Sequence, residues 1–173
     1  MRRTKFFTSD LHLGHAKILK YCKRPFKDTH EMNSAIINNI NNKVGTDDEL
    51  YIVGDFSWGK ANKYRPQINC KNITLIQGNH DKKKSVKSND FSEIYHYLEL
   101  RMSHREVFIL CHYPLMSWNM MRYGSIHLHG HVHGTITHPH PNALDVGVDV
   151  HNFQPLSYDE IKACITQKSS TQA

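Results

Sequence analysis

Short apolar runs alternate with polar loops along the chain, and most of the runs have the length of a strand. The segments KFFTS (5–9), LYIV (50–53), ITLIQ (73–77), EVFILC (106–111), SIHLH (125–129) and ALDVGV (143–148) read as strands of four to six residues. Between the first two the period changes to that of a helix. Asp28 opens it with Glu31 three residues on, a capping-box pattern, and Met32, Ile36, Ile37, Ile40 and Val44 share one face. A last helix starts at Ser157, where Glu160 completes a second box. Strands and helices interleaved in this way predict an α/β domain built in layers.

At 173 residues the chain is long enough to bury about 70% of its unfolded surface as one domain. We expect that domain to span 1–168, with a frayed polar tail over 169–173. An apolar content of 39% and a charged content of 22% are those of a globular protein. No apolar run approaches the ~20 residues that cross a bilayer, so no membrane partner is expected. The start, MRRTKFFTSD, is basic but lacks the apolar stretch of a secretion signal. Cys22, Cys70, Cys111 and Cys164 are scattered without a C-x-x-C pair, which fits neither a disulfide framework nor a thiolate zinc site. A cytoplasmic location is the expectation.

Function is written where the strands end. The first is followed by Asp10-Leu11-His12, the second by Gly54-Asp55, and the third by Gly78-Asn79-His80-Asp81. EVFILC runs into His112, and SIHLH into Gly130-His131-Val132-His133, inside the octamer HLHGHVHG (127–134). Each piece alone is commonplace, since Asp and Gly form turns and single histidines are often solvated. Together they put metal-capable side chains at five strand ends, where open α/β sheets gather their binding loops.

This order of motifs, D-x-H, G-D, G-N-H-D, H and G-H-x-H, resembles the calcineurin-like metallophosphoesterase superfamily from Asp10 to His133. DLHLGH, Arg24-Pro25-Phe26 and DVGVDVHNF are similar to its small single-domain bacterial and phage members. The resemblance implies two packed mixed β-sheets flanked by helices, a four-layer sandwich, with two divalent metal ions above the strand ends. It implies that Asp10, His12 and His133 hold one ion, that Asn79, His112 and His131 hold the other, and that Asp55 bridges them. His80 matches the catalytic histidine that is not a ligand, and Asp81 the carboxylate that orients it.

The residue types suit that chemistry. A mixed Asp/His/Asn set favours Mn, Fe or Zn over Mg or Ca, with manganese the first choice. A water between two such ions, its pKa lowered from 15.7 towards about 7, becomes a hydroxide able to attack phosphorus in line. His80 would then protonate the departing oxygen.

Charge bears on the substrate. The net +6 concentrates in residues 1–27 and 60–87, each with eight Lys/Arg against one acid, and both stretches carry site loops. Lys82, Lys83 and Lys84 follow directly on Asp81, so a positive rim is expected there, joined by His15 and Arg24 as candidate phosphate contacts. The expected enzyme is a metal-dependent phosphoesterase acting on phosphodiesters such as a nucleotide, a cyclic nucleotide or nucleic acid. The alternatives are a nuclease subunit of a larger complex and a non-catalytic scaffold on the same fold. His127, His129, His138 and His140 are expected at the surface or behind the ligands, and Trp58 in the core, with an aromatic wall of the pocket as its alternative.

Overall fold

Phe6 and Phe7 are neighbours in the first strand and face two different cores, and the fold follows from that division. The computed structural model describes residues 3–82 and 86–171. The first strand, β1 (Lys5–Thr8), pairs in parallel with β2 (Glu49–Ile52), which pairs in parallel with β3 (Asn72–Ile76) and that in turn with β4 (Glu93–Tyr95). β9 (Leu156–Ser157) closes the far edge antiparallel to β1. A second, four-stranded sheet has the order β5 (Tyr97–Arg101), β6 (Val107–Cys111), β7 (Ile126–His129), β8 (Ala143–Asp145), with only the β5–β6 pair antiparallel. Two mixed sheets are thus present, as the motif order implies.

One face of the first sheet sends Phe6, Leu50, Ile52, Ile73 and Leu75 against Met32, Ile36, Ile37 and Ile40 of α2 (Thr29–Lys43). The opposite face sends Phe7, Tyr51, Val53 and Ile76 against Phe108, Leu110, Ile126 and Leu128 of the second sheet. Phe7 and Phe108 meet there with ring centroids 5.5 Å apart. Both faces are covered, which is why β2 reads as the unbroken apolar run LYIV and not as an alternation. Each such side chain, fully buried, contributes about 1.5–3 kcal/mol of transfer free energy. α3 (Tyr158–Thr171) adds Ile161 and Ile165 to the inter-sheet core.

The helix starts follow the sequence signals. The Asp28 carboxylate accepts the Glu31 N–H at 2.8 Å, while Glu31 reaches back to the Lys27 N–H. At α3 the box is reciprocal, because the Ser157 N–H donates to Glu160 Oε2 and the Glu160 N–H to Ser157 Oγ. Two expectations are corrected. The predicted strand 143–148 stops at Asp145, and the chain turns into a short 3-10 segment, Val148–Val150. The tail expected to fray from residue 169 instead continues α3 as far as Thr171, with Ser169 Oγ bonded to the Ile165 carbonyl. The sequence pattern also misses α1 (Ala16–Tyr21), β4, β5 and β9. These are short or half-exposed elements whose apolar positions are too few to set a period.

The outer face of the second sheet corrects the expected surface position for three of the four extra histidines. His127, His129 and His138 are buried, beneath a segment held down by Trp118 and Leu115. The Leu115 N–H donates to His127 Nε2, and His138 Nε2 donates to the Leu115 carbonyl, so two imidazoles hold both backbone polar groups of one residue.

Candidate metal centre and its cleft

The parallel strands of both sheets end at the same side of the molecule, and their loops bring Asp10, His12, Asp55, His80, His112 and His133 together. The loops after β1 and β2 run side by side, with Asp10 N–H bonded to the Gly54 carbonyl and His12 N–H to that of Asp55. The backbone is strained where the donors sit. Asp10, His12, Asp55, His131 and His133 all have φ between 48° and 70°, the left-handed region that L-residues seldom occupy. Such conformations cost on the order of 1–3 kcal/mol each and cluster at functional sites. Gly54, itself at φ 96°, makes this approach possible, because a Cβ there would collide with the His112 ring.

The Asp55 carboxylate is the centre of the arrangement. Its Oδ1 accepts the His80 N–H at 2.8 Å. Its Oδ2 is left facing His12 Nε2 at 3.4 Å and His112 Nε2 at 3.6 Å. Two donors on one ion with bonds of ~2.0–2.2 Å stand roughly 3–3.5 Å apart, so this single oxygen lies within sharing distance of both rings. Asp10 Oδ1 lies 3.9 Å from His12 Nε2 and 3.8 Å from His133 Nε2. Asn79 Oδ1 is 3.1 Å from both His112 Nε2 and His131 Nδ1.

A hydrogen bond at the back of the His112 ring fixes its tautomer. His112 Nδ1 donates to the Val53 carbonyl at 2.9 Å, so its Nε2 carries a bare lone pair. That lone pair faces the Asn79 and Asp55 oxygens, acceptor against acceptor, an arrangement that a cation between them resolves. His12 Nε2 is buried with no hydrogen-bond partner. Burial pushes the His12 pKa down to about 2, which keeps the ring in the neutral form that binds metal. Burial likewise pushes Asp10 up to about 7, opposed by the neighbouring His133. These are the marks of a donor set built around positive charge, and Asp10/His12/His133, His12/Asp55/His80 and Asp10/Asp55/His112 are each grouped closely enough to hold a metal ion.

His133 is oriented by a residue the motif reading misses. Asp149 Oδ2 accepts from His133 Nδ1 at 2.7 Å, and both Asp149 oxygens are gripped by Arg24 through Nε at 2.7 Å and a terminal nitrogen at 2.8 Å. Burial works against a charged His133, but the hydrogen bonds with Asp149 and Cys22 and the charge of Asp10 together outweigh it and carry the pKa to about 10. Asp149 lies 16 positions beyond His133, in the DVGVDVHNF segment, and no spacing rule couples the two. Arg24 is therefore not a substrate contact. Its guanidinium is buried and also donates to the Asp10 and Leu11 carbonyls, bracing the loop that carries Asp10 and His12. Asp149→Asn should weaken divalent-metal binding by about 10- to 100-fold, as loss of a ligand-orienting carboxylate does. Metal titration by calorimetry checks this; unchanged affinity would remove the role.

Asp81 also differs from its expected role. Its carboxylate accepts the backbone N–H groups of Asp55 at 2.7 Å, Phe56 at 3.0 Å and Gly78 at 3.0 Å, clamping the Asp55 turn to the β3 loop and not the His80 ring. Burial raises its pKa to about 6 against the pull of those N–H groups. His80 is part-exposed at the mouth, with Nε2 3.9 Å from Asp55 Oδ2. His15 is buried beside His12, its Nδ1 3.3 Å from that of His12. Lys82 is exposed next to His80, whereas Lys83 and Lys84 lie outside the described residues. Trp58, expected in the core, is 53% exposed and lines a cleft of about 610 Å³ together with His12, His15, His80 and His133.

Fold and site together define an α/β protein with a histidine- and carboxylate-lined cleft over its strand ends. The chain belongs to the same family as an uncharacterized protein of Methanocaldococcus jannaschii, with 36% identity over 169 residues, 92% of this chain and 89% of the relative. The Gene 66 protein of Mycobacterium phage D29 is 28% identical, with 92% of this chain and 94% of its own length covered. A protein of unknown function from Aquifex aeolicus has the same fold, with a TM-score of 0.77, 24% identity and cover of 94% of this chain and 99% of its own. No family model matches the chain. Among the described residues no helix is long and apolar enough to cross a membrane.

Proposed function

We propose that this protein is a metal-dependent phosphoesterase of the metallophosphoesterase kind, hydrolysing phosphodiesters. The observation that carries the reading is Asp55, whose one free carboxylate oxygen faces the partnerless Nε2 of His12 and the unprotonated Nε2 of His112. Divalent ions held by Asp10, His12, His133, Asn79, His112, His131 and Asp55 would supply Lewis acidity towards phosphate oxygens and acidify water to near neutral pKa. Manganese suits that mixed oxygen and imidazole set, with iron and zinc as the competitors.

The protein's own residues do the rest. The αL loops and the Asp81 clamp hold the donors in place before substrate arrives, so little reorganisation is left for the reaction itself. Water breaks the P–O ester bond in this reading, and the departing oxygen leaves with a proton. His80 would give it, a role supported by its ring standing part-exposed at the cleft mouth beside the Asp55 oxygen. Lys82 and the neighbouring lysines would attract an anionic substrate without setting the chemistry.

The test is metal analysis of the purified protein followed by turnover of mono-, di- and cyclic phosphoesters with Mn, Fe, Zn and Mg in turn. Two ions per chain at saturation, and diester hydrolysis that a chelator abolishes and added metal restores, are expected. Stoichiometric metal without hydrolysis of any ester would leave a scaffold, and absence of tight metal binding would overturn the reading altogether.

A further inference from the structure

We propose that the ring of Trp58 is a stacking platform for a nucleobase, which makes the substrates of this cleft single-stranded nucleotide phosphodiesters. The substrate class rests on the phosphoesterase reading; the platform rests on the cleft itself. A tryptophan with more than half its surface in water is unusual for so large an apolar group. One face of the indole is nonetheless fixed, stacked on His15 with ring centroids 4.2 Å apart and planes 14° from parallel. His15 is itself buried, and its backbone N–H is bonded to the His12 carbonyl. The platform is therefore rigid, backed by the loop that carries a metal ligand, and open on its outer side.

Its position selects the occupant. The Trp58 ring lies 5.2 Å from that of His80, and the same cleft is lined by His12, His133, Ile18, Tyr21 and Lys17. A flat aromatic group on Trp58 thus sits beside the phosphate chemistry with a cation near. A volume of about 610 Å³ is in the range of small-ligand clefts. Lipid tails would need a longer apolar channel, and a plain sugar phosphate would leave the indole face uncovered. Nucleobases satisfy both requirements, since every base offers a π-face and carries its phosphate close by. In a duplex both faces of a base are already occupied by its neighbours, so the platform favours single strands.

The experiment measures binding with a chelator present, where no hydrolysis can occur. The probes are a fluorescently labelled thymidine pentanucleotide, an abasic strand of the same length, and the pentanucleotide annealed within a duplex. Wild-type protein should bind the base-bearing single strand about tenfold or more tighter than the abasic one, and tighter than the duplex. Trp58→Ala should erase that difference while leaving abasic affinity unchanged, and Trp58→Phe should retain most of it. Thymidine monophosphate as competitor shows whether one base with one phosphate suffices. Equal binding of base-bearing and abasic strands, or parallel losses for both in Trp58→Ala, would overturn the platform. Hydrolysis of phosphoesters by metal-loaded protein is scored separately. Base-dependent binding without any hydrolysis would uphold the platform and sink the phosphoesterase reading, while hydrolysis without base dependence would do the reverse.

Discussion

Asp55→Asn is expected to strip metal from both ends of the cleft and to abolish phosphoester hydrolysis. The reason is the asymmetry of this carboxylate. Oδ1 accepts the His80 N–H, and an asparagine oxygen can keep that bond, so the turn should survive. The amide nitrogen then takes the place of Oδ2, 3.4 Å from His12 Nε2 and 3.6 Å from His112 Nε2, bringing N–H donors and no charge where an anion belongs. Two divalent ions left without a shared anion repel each other, and both affinities fall. The loss should exceed the ~10- to 100-fold that follows removal of an outer partner such as Asp149. Metal content after gel filtration, turnover on a diester and a thermal melt check it together. A variant with two ions per chain and normal turnover would show that Asp55 does not bridge.

His80→Ala separates proton donation from metal binding. If the ring protonates the leaving oxygen, kcat should drop by about 10² to 10⁴ while metal content stays at the wild-type level. Esters that release nitrophenolate need little help from an acid, so their loss should be smaller than that of an alkyl diester. The position of the ring makes the control necessary, because its donor atom falls within 4.8 Å of those of His12 and Asp55 and could serve as a ligand. A variant that loses an ion, or that slows good and poor leaving groups alike, would move His80 from acid to ligand. The His80 backbone N–H that holds Asp55 is retained in either case, so the substitution tests the ring alone.

The sequence by itself determined the strands that carry the candidate site and which polar residues stand at their ends. LYIV and ITLIQ read as short apolar strands, and the Asp28 and Ser157 boxes marked the two long helices, because these signals are local: hydrophobic period, capping hydrogen bonds and Gly-containing turns act within a few residues. The set Asp10, His12, Asp55, Asn79, His80, His112, His131 and His133 was legible for the same reason, each residue lying just beyond an apolar run.

Tertiary structure alone decided how those residues serve one another. That Asp81 clamps the Asp55 turn, that Arg24 braces Asp149 behind His133, and that His127 and His138 are buried beneath Leu115 all depend on contacts between segments far apart in the chain. No local pattern encodes such a pair, because a side chain's partner is set by how the two sheets stack. The left-handed backbone at Asp10, His12, Asp55, His131 and His133 is of the same kind. Local preference disfavours it, and only packing of the surrounding loops holds five residues there at once. Trp58 was misplaced for the converse reason. Composition says that a tryptophan belongs inside, yet the buried His15 occupies one side of its ring and leaves the other to the cleft.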